Sequence, residues 1–271
     1  RPPELETYYA RTGPYGDFTE EIVKKELHFT HKKITIQSNA GEITIEYYQH
    51  EKPSENLVFV FPILGGKPII ESYFAEYLSN HGIETAIINR KNDFKNPDNV
   101  DRFEELIREN VIRDRYAMDF FEKQYGKKKF GSFGISRGAI NAAITAGIDA
   151  RLKYNVLVLG GTDLVKLFQK SHQKGLHEYV QKVVEKKNIT KAQLFASLEA
   201  SIKTDPKNFA SYVDARHTLM ILGLFDRTVP IKYGKLLRKQ LGNPKTIYLM
   251  ADHFVSIAYT QFIPLLLPRR D

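Results

Sequence analysis

Three side chains far apart in the chain could together carry out acyl transfer: Ser136, Asp226 and His253. Ser136 lies in Gly134-Ile135-Ser136-Arg137-Gly138, a G-x-S-x-G pattern between "KFGSFG" and a run of small and apolar residues. A tight strand-to-helix turn there would hold the serine in a strained backbone conformation. The flanking glycines would remove side chains that would otherwise collide. The hydroxyl then projects above a sheet edge at a helix N-terminus, and the amide of Arg137 is free to donate to an oxyanion. The plainer reading is a polar residue in a glycine-rich turn.

A serine hydroxyl alone is a poor nucleophile and needs a base and an orienting acid. In the nucleophile-elbow arrangement the chain order is serine, acid, histidine. Of the eight histidines, His172, His177, His217 and His253 follow Ser136. His172 and His177 stand among Lys and Gln and read as surface. His217 opens a strand. His253, in "MADHFVS", comes just after the apolar "IYLM", on the loop past the final strand, and is the expected base. The acid should follow an earlier strand. In "HTLMILGLFDRTVP" Asp226 does so and is the expected acid; the plainer reading is a cap of the helix that follows. Asp163, after the strand ending near Gly160, is its rival. Asp252 adjoins His253 and cannot easily reach round to its ring.

A second oxyanion donor is expected from the loop "FPILGGKP", where Gly65 and Gly66 let backbone approach a substrate. The sequence leaves open whether the amide of Ile63 or of Leu64 points inward. The side chain of Arg137 is expected near the pocket mouth.

These residues need a frame. "ITIQSNAGEITIEYY" alternates apolar and polar residues about Asn39–Gly41 and predicts a β-hairpin. "LVFVFP" is a continuous apolar run, as in a strand covered on both faces. A helix from Pro68 to Gly82 follows, then the strand "ETAIIN" and a long amphipathic helix over 101–125, stopped by Gly126. "KFGSFG", the helix after Ser136 and "YNVLVLGG" continue the alternation. It breaks over 162–204, which is helical by period and Lys-rich, and resumes with "HTLMILG", a helix over 231–241, "KTIYLM" and a closing helix. The pattern predicts a single α/β domain over 1–271, with a mostly parallel sheet of about eight strands and helices on both faces. It carries an irregular N-terminal arm over 1–30. The block 162–204 is expected to form a helical cap above the carboxyl edge of the sheet, where such folds bind ligands.

Over roughly 34–267 the chain resembles an α/β-hydrolase. "TDPKNFASYVDARHTLMILGLFDRTVP…LGNPKTIYLMADHFVS" resembles the carboxyl end of esterases akin to the dienelactone-hydrolase and acetyl-xylan-esterase groups. There an Asp-Pro precedes a short helix, then come a strand, Asp-x-x-Val-Pro, and a histidine after the last strand. By this resemblance Ser136, Asp226 and His253 match nucleophile, acid and base. Two positions depart: Arg137 stands where such esterases often carry Leu, Met or Gln, and Asp252 where Gly usually precedes the histidine.

Composition narrows the alternatives. With no Cys, thiol catalysis and Cys-based metal sites are excluded. There is no P-loop and no H-E-x-x-H, and the expected chemistry needs no cofactor or metal. Net charge is +8, but the Lys and Arg are scattered and their short runs lie beside acidic residues or helix ends, so no nucleic-acid partner is expected. Lys166, Lys170 and Lys174 could favour an acidic substrate or simply form a solvated face. No apolar run is long enough to span a membrane. The start at Arg1 and the lack of Cys fit an exported or periplasmic protein that has lost a signal peptide, and equally a trimmed cytoplasmic chain. The expected activity is hydrolysis of a small-molecule carboxylic ester or thioester through an acyl-enzyme. An acyltransferase or peptidase of the same fold, and a catalytically idle binding protein, remain alternatives.

Overall fold

The structure, a computed structural model, describes residues 1–63 and 69–260. The apolar run at 57–61 becomes the centre of the sheet because strands covered on both faces need no polar alternation. In chain order the elements are α1 (Pro3–Tyr8), β1 (Phe18–Lys25), β2 (Phe29–Ile36), β3 (Ile43–His50), β4 (Asn56–Phe61), α2 (Ile69–Asn80) and β5 (Thr85–Ile88). Then come α3 (Phe103–Tyr125), β6 (Lys129–Ile135), α4 (Arg137–Ile148) and β7 (Leu152–Val158). The chain continues through α5 (Leu164–Lys170), α6 (Lys174–Lys187), α7 (Lys191–Ser201), β8 (Thr218–Gly223), α8 (Ile231–Gln240), β9 (Lys245–Leu249) and α9 (His253–Thr260). The nine strands run in the order β1-β2-β3-β5-β4-β6-β7-β8-β9. From β5 to β9 neighbouring strands pair in parallel, and β1, β2 and β3 add an antiparallel edge. No described helix is long and apolar enough to cross a membrane.

One strand exceeds the expectation, and it corrects the boundary of the N-terminal arm. Residues 18–25 and 29–30 belong to the sheet. All of β1 is exposed, so no buried face imposed a readable alternation on it. Its pairing with β2 makes it a strand. Elsewhere the expected hairpin, the stop at Gly126 in the left-handed region (φ 62°) and the strandless block between β7 and β8 all appear. The helix expected from Pro68 is described from Ile69 onward; Pro68 lies outside the described residues.

Layer contact is closest at α4. Its face of Ala139, Ala142, Ala143 and Ala146 is buried in the main core, beside Phe61 and Leu157 of the sheet. Small side chains here let the helix axis approach the strands. Helices α5 to α7 share a second apolar cluster with Phe94, Val100 and Phe103, which lie in and just after two 3₁₀ turns at Asp93–Lys95 and Pro97–Arg102. The insertion thus rests on the start of α3.

One carboxylate ties both ends of that insertion together. Asp205, fully buried, accepts from the amides of Asp163 (3.1 Å) and Leu164 (2.6 Å) at the start of α5. It also accepts from Lys207 N–H (2.9 Å) and the Thr162 hydroxyl (3.3 Å). Burial raises its pKa against these donors.

A second buried carboxylate, Asp149 at the end of α4, meets Arg115 Nε (3.1 Å) and Arg151 Nη2 (2.8 Å). Burial pushes the Asp149 carboxyl up, but Arg151 and Arg115 outweigh it and hold it at about 2. An unfolded Asp titrates near 3.9. The folded pKa is the lower, so the stabilisation is present above the unfolded value and is lost as pH falls through the folded one. Asp149→Asn should therefore lower unfolding free energy by about 2–3 kcal/mol at neutral pH. The gap to wild type should close between about pH 4 and about pH 2. Urea titrations across that range test this; a gap independent of pH would contradict it.

Candidate active site

The turn between β6 and α4 is built by steric exclusion. Ser136 has φ 55° and ψ −118°, a region that L-residues occupy only when the surroundings enforce it. A Cβ on Gly134 would lie 2.4 Å from the carbonyl carbon of Gly138, and one on Gly138 would lie 2.1 Å from the carbonyl oxygen of Phe61. Both glycines are therefore required by space. Ser136 N–H donates to Val158 O (2.8 Å), and Ser136 O accepts from Ile140 N–H (3.2 Å), which anchors the turn to β7 and to α4. Arg137 is the first residue of α4, and its N–H has no acceptor within the helix.

His253 opens α9 and is 4% exposed. Its Nδ1 lies 2.7 Å from Asp226 Oδ2, while Asp226 Oδ1 accepts from the amides of Thr228 and Val229, each at 2.9 Å. Asp226 thus does not cap α8, whose N-cap is Pro230 without a side-chain cap bond; one oxygen holds the turn before that helix and the other meets the histidine. With Nδ1 committed, Nε2 is the ring nitrogen available to the cavity that His253 and Ser136 both border. The rival Asp163 is elsewhere engaged: its carboxylate meets Lys166 (2.8 Å) and Lys207 (3.3 Å). Asp252 caps α9 through Val255 N–H (2.9 Å). His172 donates its amide to Arg227, His177 Nε2 lies 2.6 Å from Ser171 O, and His217 pairs with Asp214.

One oxyanion expectation needs correction. Ile63 N–H donates to Glu71 Oε1 at 2.7 Å. Glu71 sits in the first turn of α2 and is 3% exposed, so its carboxylate reaches back to the loop that precedes its own helix. The Ile63 amide is thereby engaged and not free for a substrate. The alternative donor, Leu64, lies outside the described residues, as do Gly65 and Gly66.

The cavity measures about 470 Å³, within the usual range for small-molecule sites. Its walls come from the sheet edge, from α5 and α6, and from the 3₁₀ turns before α3. Phe168 and Tyr179 belong to the insertion. Phe94, Lys95 and Phe103 do not, and the sequence reading passed over them. The signal of Phe94 and Lys95 was faint, one phenylalanine in a polar stretch too short for helical periodicity, and Phe103 was legible only as part of the amphipathic helix over 101–125. Arg137 also lines the cavity, with its guanidinium carbon 4.1 Å from the Phe94 ring centroid. Of the lysines read as either substrate-attracting or solvated, Lys166 pairs with Asp163 and Lys174 with Glu178 (3.7 Å), as on a solvated face.

No protein-family model matches the sequence, and no curated protein matches it. Solved structures do match in shape. An acetyl xylan esterase from a Thermoanaerobacterium species has a TM-score of 0.70 at 13% identity, covering 98% of this chain and 95% of that one. One from a Paenibacillus species scores 0.69 at 17% identity, covering 97% and 92%. An acylaminoacyl peptidase of Pyrococcus horikoshii scores 0.63 at 17%, covering 86% of this chain but 39% of its own. Likeness at these identities is likeness of fold.

The contact distances at Gly138 give a direct check. Gly138→Ala should cost at least about 3 kcal/mol, since the added methyl would run into the Phe61–Pro62 backbone, 2.1 Å from the Phe61 carbonyl oxygen. Gly175→Ala, with nothing within 4 Å of the new carbon, should be neutral or stabilise by up to about 1 kcal/mol. Equal effects in denaturant titrations would rule out close packing as the reason for the motif.

Proposed function

The chain has the α/β-hydrolase fold, and from that premise we propose that it is a serine hydrolase of carboxylic esters. The observation that carries this reading is the His253–Asp226 hydrogen bond at the same cavity as a serine on a strained strand-to-helix turn. The likeness to acetyl xylan esterases and other esterases supports the choice of ester over other acyl substrates.

In this reading Ser136 Oγ attacks the ester carbonyl carbon while His253 Nε2 takes the hydroxyl proton. Asp226 holds Nδ1–H, fixes the tautomer and stabilises the imidazolium that forms. The carbonyl π electrons move to oxygen, and the oxyanion accepts from the Arg137 amide and from a second amide of the loop after β4. The tetrahedral adduct collapses, the ester C–O bond breaks, and His253 returns the proton to the leaving alcohol. Water repeats the sequence on the acyl-enzyme, releases the acid and restores Ser136. Each oxyanion donor contributes about 3–4 kcal/mol at the transition state. The block 162–204 acts as a cap that shapes the acyl and alcohol sites. An added alcohol acceptor in place of water would make the same site an acyltransferase. The peptidase among the structural relatives keeps amide substrates in the test set.

A fluorophosphonate probe should label wild type at Ser136 and leave Ser136→Ala unlabelled, as read by peptide mass spectrometry. p-Nitrophenyl esters of rising acyl length should be hydrolysed, with a length optimum set by the cavity. Ser136→Ala and His253→Ala should each cost nearly as much as the double variant, because the two act as a unit. Asp226→Asn should lower kcat by about 10³–10⁴. A protein that forms no adduct and hydrolyses no ester or amide of the panel is not a hydrolase.

A further inference from the structure

The cationic groups near the site are not equivalent. Arg90 is paired: Nη1 meets Asp114 Oδ1 at 2.8 Å and Asn110 O at 3.1 Å, and Nη2 meets Asp114 Oδ2 at 3.0 Å, although its Nε is buried without a partner among the described residues. Arg115 and Arg151, at the other end of α4, are likewise held by carboxylates. Arg137 has no hydrogen bond or ion pair among the described residues. Its one recorded partner is the Phe94 ring. A guanidinium carbon this close to a ring leaves the in-plane N–H fork to find acceptors elsewhere. Arg137 lines the cavity directly after Ser136 and also borders a smaller cavity with Arg90 and Asp114, so it stands in the wall between the two.

The surroundings reinforce this. Lys95 and Lys182 also line the cavity, and neither has an ion pair among the described residues. Glu178 is the acidic lining residue, exposed and facing Lys174. The rest of the wall is largely aliphatic and aromatic. An unpaired charge in such a place is costly until an anion meets it. Burial, joined by the charge of Arg90, pulls the Arg137 guanidinium down to about 9, which leaves it charged at neutral pH. Arg90 cannot relieve the charge, and Asp114 is already bonded to Arg90 and to Thr145.

We infer that Arg137 is a specificity residue that binds a carboxylate on the substrate, so that the preferred esters carry a second, anionic group. This rests on the hydrolase reading above. A planar carboxylate matches the guanidinium fork with two parallel hydrogen bonds. The ester carbonyl sits at Ser136, the carboxylate lies toward Phe94 and Lys95, and the apolar wall takes the connecting chain. The anion can belong to the acyl part, as in a half-ester of a dicarboxylic acid, or to the alcohol part, as in an O-acyl hydroxy acid. The bonds made and broken in the reaction are unchanged.

The experiment compares p-nitrophenyl hydrogen succinate, glutarate and adipate with neutral p-nitrophenyl esters of the same chain lengths. O-acetyl glycolate against its methyl ester forms the alcohol-side arm. In at least one arm the anionic member should have a kcat/KM at least tenfold higher, mostly through KM. Arg137→Gln should remove that ratio and Arg137→Lys restore part of it, since a point charge lacks the fork. Melting curves verify that the variants fold. In parallel, calorimetry should show glutarate binding to wild type and at least tenfold weaker binding to Arg137→Gln. Hydrolysis of neutral esters with no anionic preference overturns this inference and leaves the hydrolase reading intact. A preference that survives Arg137→Gln and falls in Lys95→Gln or Lys182→Gln overturns the assignment to Arg137. No fluorophosphonate adduct and no turnover sinks the hydrolase reading alone, and the glutarate titrations then decide on anion binding by themselves.

Discussion

The approach of α4 to the sheet governs the site. Gly138 leaves no room for a side chain against the Phe61 carbonyl, and Gly134 leaves none against the first turn of the same helix. With both contacts closed, the chain has one way to pass from strand to helix, and Ser136 must accept a positive φ to take it. Conformational strain of this kind costs on the order of 1–3 kcal/mol. It is offset by the burial of the alanine face of α4, which could not come so close with larger residues. Because the helix begins at Arg137, the free amides of its first turn lie beside the serine. Core packing, backbone strain and the electrostatics of a helix N-terminus are thus one constraint seen at three levels.

Asp226 and His253 depend on the same sheet. Both stand just past adjacent parallel strands, β8 and β9, whose register aligns Gly223 with Leu249. Two residues separated by 27 positions in sequence are therefore carried to one edge. The turn after β8 does not wait for the histidine to order Asp226: the amides of Thr228 and Val229 already hold one carboxylate oxygen. A carboxylate fixed in this way loses little freedom when it orients a ring. The insertion is tethered by similar means. Asp205 bonds the amides that open α5 and that of Lys207 past α7, so the two ends of the insertion are held at one point instead of hanging from two independent loops.

What was legible in the sequence follows from which patterns are local. The doubly covered strands, the break at 162–204 and the glycines around Ser136 leave marks in composition and spacing, and the sheet and its order along the chain could be read from them. β1 left none, since an exposed edge strand is specified by its neighbour and not by a buried face of its own. Asp226 against Asp163 could not be decided from spacing, because both follow strands. The choice rests on a hydrogen bond on one side and two lysines on the other. The engagement of Ile63 by Glu71 was also out of reach, because a carboxylate turning back on its own loop has no signature in residue order.

That last contact bears on how the site would work. Glu71 offers one buried oxygen to the Ile63 amide, and its other oxygen is buried without a partner among the described residues. A carboxylate holding that amide and an oxyanion seeking it would compete for one donor while repelling each other. Either the amide that completes the oxyanion site comes from further along the loop, with Glu71 bracing the loop's start, or Glu71 must release Ile63 during turnover. Bracing is the more economical. Release would leave a buried carboxylate with neither oxygen paired, at a cost of several kcal/mol, while bracing keeps the loop's first residue fixed against α2. Glu71 is then a structural counterpart to Arg137. A buried charge at Glu71 is spent on holding backbone, while the half-buried Arg137, in the inference above, keeps its charge for a substrate.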